Sequence, residues 1–276
     1  MRIFRTKDGA IIQKGIHFYT KKVSDWDSFL NRKGLLYALK KDIEILHPSD
    51  SKIFGDVFLP PMGSQEIWAS GVTYMRSKEA RMEESKEAGG GTFYDRVYDA
   101  DRPELFFKAT PSRTVGNMGT VRIRRDSSWN VPEPELTLLI SSEATIEGYT
   151  IGNDMSSRSI EGENPLYLPQ AKTYEGCAAL GPCIYVPKEP MAPTTMIRME
   201  IEREGKGVFS GEIPIGNMKR KHTELVEYLF RECNFTNGCF LMTGTGIIPP
   251  DDFTLMLKDE IRITIDGIGT LTNFVG

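Results

Sequence analysis

Histidine is the scarcest chemically versatile residue in this 276-residue chain: only His17, His47 and His222 occur, and none lies between residues 47 and 222. Four cysteines, Cys177, Cys183, Cys233 and Cys239, show no CxxC spacing and have no histidine nearby, which argues against a zinc knuckle and for reduced cysteines in or near the core. No apolar run approaches the ~18 residues needed to span a membrane. The opening residues, MRIFRTKDGA, carry charges but no apolar signal-like stretch, so a cytoplasmic location is expected. Positive charge is not in excess either. Lys and Arg number 34 against 38 Asp and Glu, a net charge of −4, and nucleic acid is not an expected partner. There is no GxGxxG and no Walker loop, hence no sequence support for a dinucleotide or triphosphate site.

What is present is an ordinary globular composition, 39% hydrophobic and 26% charged. Short strand-like runs at Arg2–Thr6, Ala10–Gln13 and His17–Thr20 precede a segment from Asp25 to Lys41 whose pattern predicts one helix. Asp25 would cap it, with Trp26, Phe29, Leu30, Leu36 and Leu39 on its apolar side. A polar stretch from His47 to Met62, with Pro60-Pro61, places a domain boundary near residue 62. Residues 1–62 are then a small α+β unit and residues 63–276 the main, mostly β domain. Its strand candidates include Ile67–Thr73, Glu104–Thr110, Leu136–Ser141, Ile146–Gly152 and Ile261–Ile265, with helices at Ser77–Ala88 and about Lys221–Glu232.

The most informative stretch is Val131-Pro132-Glu133-Pro134-Glu135-Leu136. In an extended segment Glu133 and Glu135 share one face while Leu136, Leu138 and Ile140 take the other. Pro134 predicts a strand entrance or edge. A turn near Ser142-Glu143 and a second strand running to Asp154 would, as a simple hairpin, bring Asp154 across from Glu133. Three converging carboxylates raise one another's pKa unless a cation neutralises them, and oxygen donors without His or Cys select Mg²⁺, or else Mn²⁺ or Ca²⁺. On spacing alone, solvent-facing glutamates and an aspartate capping the turn into Ser156-Ser157-Arg158 are the favoured reading, since ExE pairs are common in surface strands.

The wider context bears on that choice. Tyr149-Thr150-Ile151-Gly152-Asn153-Asp154-Met155-Ser156-Ser157-Arg158 after the PEPEL strand resembles the fumarylacetoacetate hydrolase superfamily, as do Phe107-Lys108-Ala109-Thr110-Pro111-Ser112 and Thr243-Gly244-Thr245-Gly246. The runs from Tyr98 to Lys108 and from Glu163 to Lys172, with Ala179-Leu180-Gly181-Pro182, are similar to the branch containing 2-keto-3-deoxy-pentonate (arabinonate or xylonate) dehydratases. The resemblance spans the chain from about Glu66 onward. It implies a mixed β-roll with a small N-terminal α+β domain, a homodimer or homotetramer, and Glu133, Glu135 and Asp154 as metal ligands. Lys172 matches the family's active-site lysine, Thr245 a threonine contacting substrate, and Glu104 a catalytic glutamate of the dehydratase branch. Hydrolases of the superfamily carry a histidine shortly after the G-x-x-Y segment; here Gly71-Val72-Thr73-Tyr74 is followed by none. Some relatives place a further acidic ligand in this segment, which Val72 cannot supply.

The expected reaction is therefore dehydration of a small 2-oxo acid, a 2-keto-3-deoxy sugar acid, to a dioxo acid through a metal-stabilised enolate. Lys172 and Glu104 would serve as the base–acid pair, in unassigned order. Lys108 and Arg113 either hold substrate anions or neutralise the carboxylates. Asn164 either binds a substrate hydroxyl or shapes the turn before Pro165, and Lys172 could instead be a salt-bridge partner. Residues 78–102, with Gly89-Gly90-Gly91, are expected to act as a lid. Carbon–carbon hydrolysis of an acylpyruvate-like diketone, decarboxylation or tautomerisation of an oxo acid, and a structural Ca²⁺ site in a binding protein are the rivals.

Overall fold

The computed structural model describes residues 1–49, 58–84 and 96–276. Three strands open it, β1 (Arg2–Thr6), β2 (Gly9–Lys14) and β3 (His17–Lys22), joined as antiparallel neighbours. In place of the one helix expected from Asp25 to Lys41 there are two, α1 (Trp26–Leu30) and α2 (Leu35–Glu44). The expected cap is there, Ser28 N–H donating to the Asp25 carboxylate at 3.0 Å, but Gly34 adopts φ +70° and breaks the run. Residues 31–34 turn the chain, and a second helix starts at Leu35, with Leu35 and Leu39 buried in the core.

The remaining elements are β4 (Pro48–Ser49), β5 (Glu66–Gly71), α3 (Met75–Glu84), β6 (Glu104–Ala109), β7 (Thr114–Val115), β8 (Gly119–Val121), β9 (Asn130–Ile140), β10 (Ile146–Ser157), α4 (Arg158–Glu163), α5 (Leu168–Lys172), β11 (Ala178–Tyr185), β12 (Met196–Arg203), β13 (Lys206–Pro214), α6 (His222–Phe230), β14 (Cys239–Met242), β15 (Glu260–Ile265) and β16 (Gly269–Val275). The large sheet runs β4-β3-β2-β1-β11-β10-β9-β14-β5-β6, and a second runs β13-β12-β15-β16-β8. Leu136, Leu138 and Ile140 of β9 meet Ile197, Met199, Ile201, Ile261 and Ile263 of the second sheet in one buried cluster. Leu139 faces the other way, among Leu30, Leu35, Leu39 and Phe240. Both faces of β9 are covered, which is why its whole length is buried.

The large sheet curls into a roll. β7, which follows β6 at one edge, pairs in parallel with β11 through Ala178–Thr114 and Ala179–Val115. The other half of the same β11 edge takes β1, with Ile3 opposite Ile184 and Arg2 opposite Tyr185. The strands of residues 1–62 therefore continue the sheet that carries the carboxylates, and the buried cluster behind them mixes residues from both sides of residue 62. Residues 85–95 of the expected lid, Gly89-Gly90-Gly91 among them, lie outside the described residues, as does the expected helix beyond Glu84. Among the described residues no helix is long and apolar enough to cross a membrane.

Candidate active site

The hairpin that carries the carboxylates is longer than its sequence pattern suggests. β9 begins at Asn130 and β10 runs on to Ser157, so Glu133, Glu135 and Asp154 lie within strands and not at their ends. Asp154 pairs with Glu133 and Gly152 with Glu135. Pro134 is tolerated inside the ladder for a specific reason. On its other side β9 is paired by β14 only from Thr137 onward. The Leu136 carbonyl accepts the Thr243 N–H at 3.1 Å, and Pro134, two residues earlier, presents its donorless nitrogen to that same side just past the end of β14.

The three carboxylates are buried, and one oxygen from each lies within 4.8 Å of the other two. Among the described residues, three basic side chains from separate elements surround them. Lys172 Nζ, at the end of α5, donates to Glu133 at 2.8 Å, Asp154 at 3.3 Å and Ser156 Oγ at 2.6 Å. Arg158 Nη2 stands 2.8 Å from the other Glu133 oxygen and Nη1 4.0 Å from Glu161. Lys108 Nζ is 2.6 Å from Asp154 Oδ1 and also donates to the carbonyls of Met155, at 2.9 Å, and Lys172. The Gly244 N–H, in a turn with φ +91°, donates to Glu135 at 2.5 Å. Even so, burial first, and then the charges of Asp154 and Glu133, hold the Glu135 carboxyl well above its ordinary range, against the opposing pull of Lys172 and the Gly244 amide.

This geometry suits a hard divalent cation. An ion bonded at roughly 2.0–2.6 Å to oxygen needs donors no more than about 4–5 Å apart, and the donor set is all carboxylate. The surrounding cavity is lined by Ser70, Gly71, Val72, Ser77, Phe106, Arg158, Gly244 and Thr245 besides the carboxylates and Lys172, with no histidine or cysteine. Val72 holds φ +52°, a left-handed conformation unusual for a β-branched residue, at the cavity wall.

The other expected site residues are dispersed. Thr245 lines the cavity, its hydroxyl accepting from the Ile247 N–H at 3.1 Å. Glu104 lies on β6 opposite Gly71, with a buried Oε2 that has no hydrogen-bond partner among the described residues. Lys108 is fully buried beneath Asp154. Arg113 is half-buried, 3.4 Å from Glu175, and Asn164 accepts from the Leu166 N–H at 2.9 Å; neither is among the residues that line the cavity. Sequence reasoning missed Ser156, Arg158, Ser77 and Phe106. Strand parity could have found Ser156, two residues beyond Asp154 on the same face. Phe106, whose ring centroid is 5.8 Å from Lys172 Nζ, follows Glu104 by the same rule.

Comparison with known proteins agrees with this geometry. The model for the fumarylacetoacetate hydrolase C-terminal family matches residues 67–276. A probable 2-keto-3-deoxyxylonate dehydratase of Haloferax volcanii is 46% identical over 82% of this chain and 79% of its own length. A 2-dehydro-3-deoxy-D-arabinonate dehydratase of Saccharolobus solfataricus is 45% identical over 76% of this chain and 72% of its own. A solved structure of a 2-keto-3-deoxy-D-arabinonate dehydratase complexed with magnesium and 2,5-dioxopentanoate superposes with a TM-score of 0.85 at 35% identity, covering 100% of this chain and 98% of that one. With its carboxylate hairpin, its β-roll and these matches, the chain belongs to the fumarylacetoacetate hydrolase family.

Proposed function

We propose that the protein is a magnesium-dependent hydro-lyase that dehydrates a 2-keto-3-deoxy-pentonate to 2,5-dioxopentanoate. The observation that carries this is the buried triad of Glu133, Glu135 and Asp154 beside Lys172, in a chain close in sequence and fold to dehydratases of that substrate class. A divalent cation held by the triad would withdraw electrons from the 2-oxo group and acidify the C3 protons.

Charge fixes the rest of the setting. Glu133, Glu135, Asp154 and Glu161 bring four negative charges against three from Lys108, Lys172 and Arg158. With a dication bound and Glu135 ionised beside it, these groups would sum to a single positive charge, which a monoanionic 2-oxo acid neutralises. Lys172 and Glu104 are the proton-transfer pair. One takes a C3 proton and the other protonates the C4 hydroxyl as it leaves as water; a proton shift from C5 to C3 then gives the C4–C5 enol, whose hydroxyl proton moves to C4 to leave the C5 aldehyde. Thr245 faces the substrate from its glycine-flanked turn. Lys108, enclosed by three oxygens, takes the neutralising role that was open to it; Arg113, beside Glu175, and Asn164, which caps the turn before Pro165, take the structural alternatives open to them.

The missing histidine favours the lyase over diketone hydrolysis, which needs a base for water. Four free cysteines, three of them buried, support a reducing, cytoplasmic setting. A homodimer or homotetramer is the expected assembly, to be read by light scattering. The function is tested by incubating the Mg²⁺-loaded protein with 2-keto-3-deoxy-pentonate and, separately, with an acylpyruvate. The expected result is 2,5-dioxopentanoate from the first, abolished by chelator, and no cleavage of the second. Cleavage of the acylpyruvate alone would overturn the reading.

A further inference from the structure

We infer that Gly71, which lines the cavity, is a positioning residue, whose missing side chain forms the seat that holds the Glu104 carboxyl. The inference rests on the assignment of Glu104 to the proton-transfer pair and adds what places it.

Gly71 and Glu104 are direct partners across β5 and β6, so their side chains project from the same face of the sheet. That face is the one lined by Phe106 and the triad. The Glu104 side chain folds back over Gly71 so closely that a Cβ there would lie 2.1 Å from Oε2, 2.6 Å from Cδ and 3.1 Å from Oε1. No Cβ approaches a carboxylate oxygen that nearly, so any side chain at position 71 must move the carboxyl. Gly71 is not among the residues with a left-handed φ, and its backbone conformation does not call for glycine. The space it leaves is what requires glycine.

One further contact and one backbone turn define the seat. Ser70 Oγ donates to the Glu104 carbonyl at 3.0 Å and pins the backbone of β6 at this level. Next to Gly71 the chain turns sharply at Val72, with its φ of +52°, so β5 ends at the seat. Within it Oε2 is buried with no hydrogen-bond partner among the described residues. A buried carboxyl oxygen left without a partner is costly unless something reaches it during function, and a substrate hydroxyl or a proton in transit is such a partner. Because the crowded group is the free end of a flexible side chain, Gly71→Ala should fold normally and displace only the carboxyl.

The test compares wild type, Gly71→Ala, Glu104→Gln and the double variant, each loaded with Mg²⁺. The measurements are kcat, KM, the pH dependence of kcat, Mg²⁺ affinity by calorimetry, and melting temperature. Gly71→Ala should lower kcat by about 10- to 100-fold, part of what one acid–base group contributes. KM, Mg²⁺ affinity and melting temperature should stay near wild type, and the limb of the kcat profile lost in Glu104→Gln should shift. Added to Glu104→Gln, the alanine should have no further effect, since the group it displaces is already disabled. Wild-type kcat in Gly71→Ala beside a crippled Glu104→Gln would overturn the seat alone, as would an equal loss from the alanine in both backgrounds. Full activity of Glu104→Gln would overturn the role of Glu104, and this inference with it.

Discussion

Glu135 is the carboxylate that most needs a cation. Burial and two like-charged neighbours favour its protonated form, so binding of a dication must expel that proton, and the affinity for Mg²⁺ should rise with pH. Calorimetry at pH 6 and pH 8, in buffers of different ionisation enthalpy, should show tighter binding at the higher pH and net proton release. Glu135→Gln keeps the shape and removes the charge, and should cut Mg²⁺ affinity at least 10-fold while abolishing the proton release. Lys108 calls for a stability measurement. Lys108→Met leaves Asp154 with one of its two cations and should cost about 3 kcal/mol in urea unfolding. Strand parity alone makes Glu133 and Glu135 legible as a pair, because side chains alternate whatever the strand's surroundings. Arg158 is not legible as a partner of Glu133. It lies at the start of α4, where the chain has already left the period-2 pattern, and only the crossing of that helix over β9 brings the guanidinium back.

Among the elements, the β9–β10 hairpin is predictable in register but not in length. Apolar alternation begins at Leu136, and the preceding residues qualify as strand only because the carboxylates they carry are buried by the rest of the roll. The single helix expected from Asp25 to Lys41 fails for the opposite reason: a 3.6-residue period survives a tight turn in register, and Gly34 alone does not announce one. The helix α6 carries a pH response of its own. Burial lowers the His222 imidazole to about 4, whereas in the unfolded chain it titrates near 6.5. Between those values the unfolded state binds more protons, so stability is unaffected above pH 6.5 and falls as pH drops toward 4, by at most about 3 kcal/mol. Urea midpoints from pH 7 to pH 4 should show this slope, and His222→Gln should flatten that part of it.

At the scale of the whole molecule, the mostly β class is readable from many short strand-like runs with few helices between them. The closing of the roll is not. β7 is two residues long and carries no periodic pattern, yet it joins the edge after β6 to β11, and through that closure Lys108 of β6 reaches Asp154 of β10. The division at residue 62 marks a change of composition, whereas the sheet is continuous across it. Deleting residues 1–22 should therefore strip β11 of half its outer partner and uncover Ile184 and Val186, giving an aggregating product in sedimentation assays.

Because β1 has no seat until β11 exists, the opening hairpins of the chain emerge from the ribosome long before the strand that receives them. Their own turns are local, but their docking is among the most distant pairings in the molecule. Translation must therefore carry an unsatisfied ribbon, Arg2–Lys22, past some three-fifths of the polypeptide before it can be sewn in. A holdase acting on nascent chains would find that ribbon, and not the carboxylate hairpin, as its natural client.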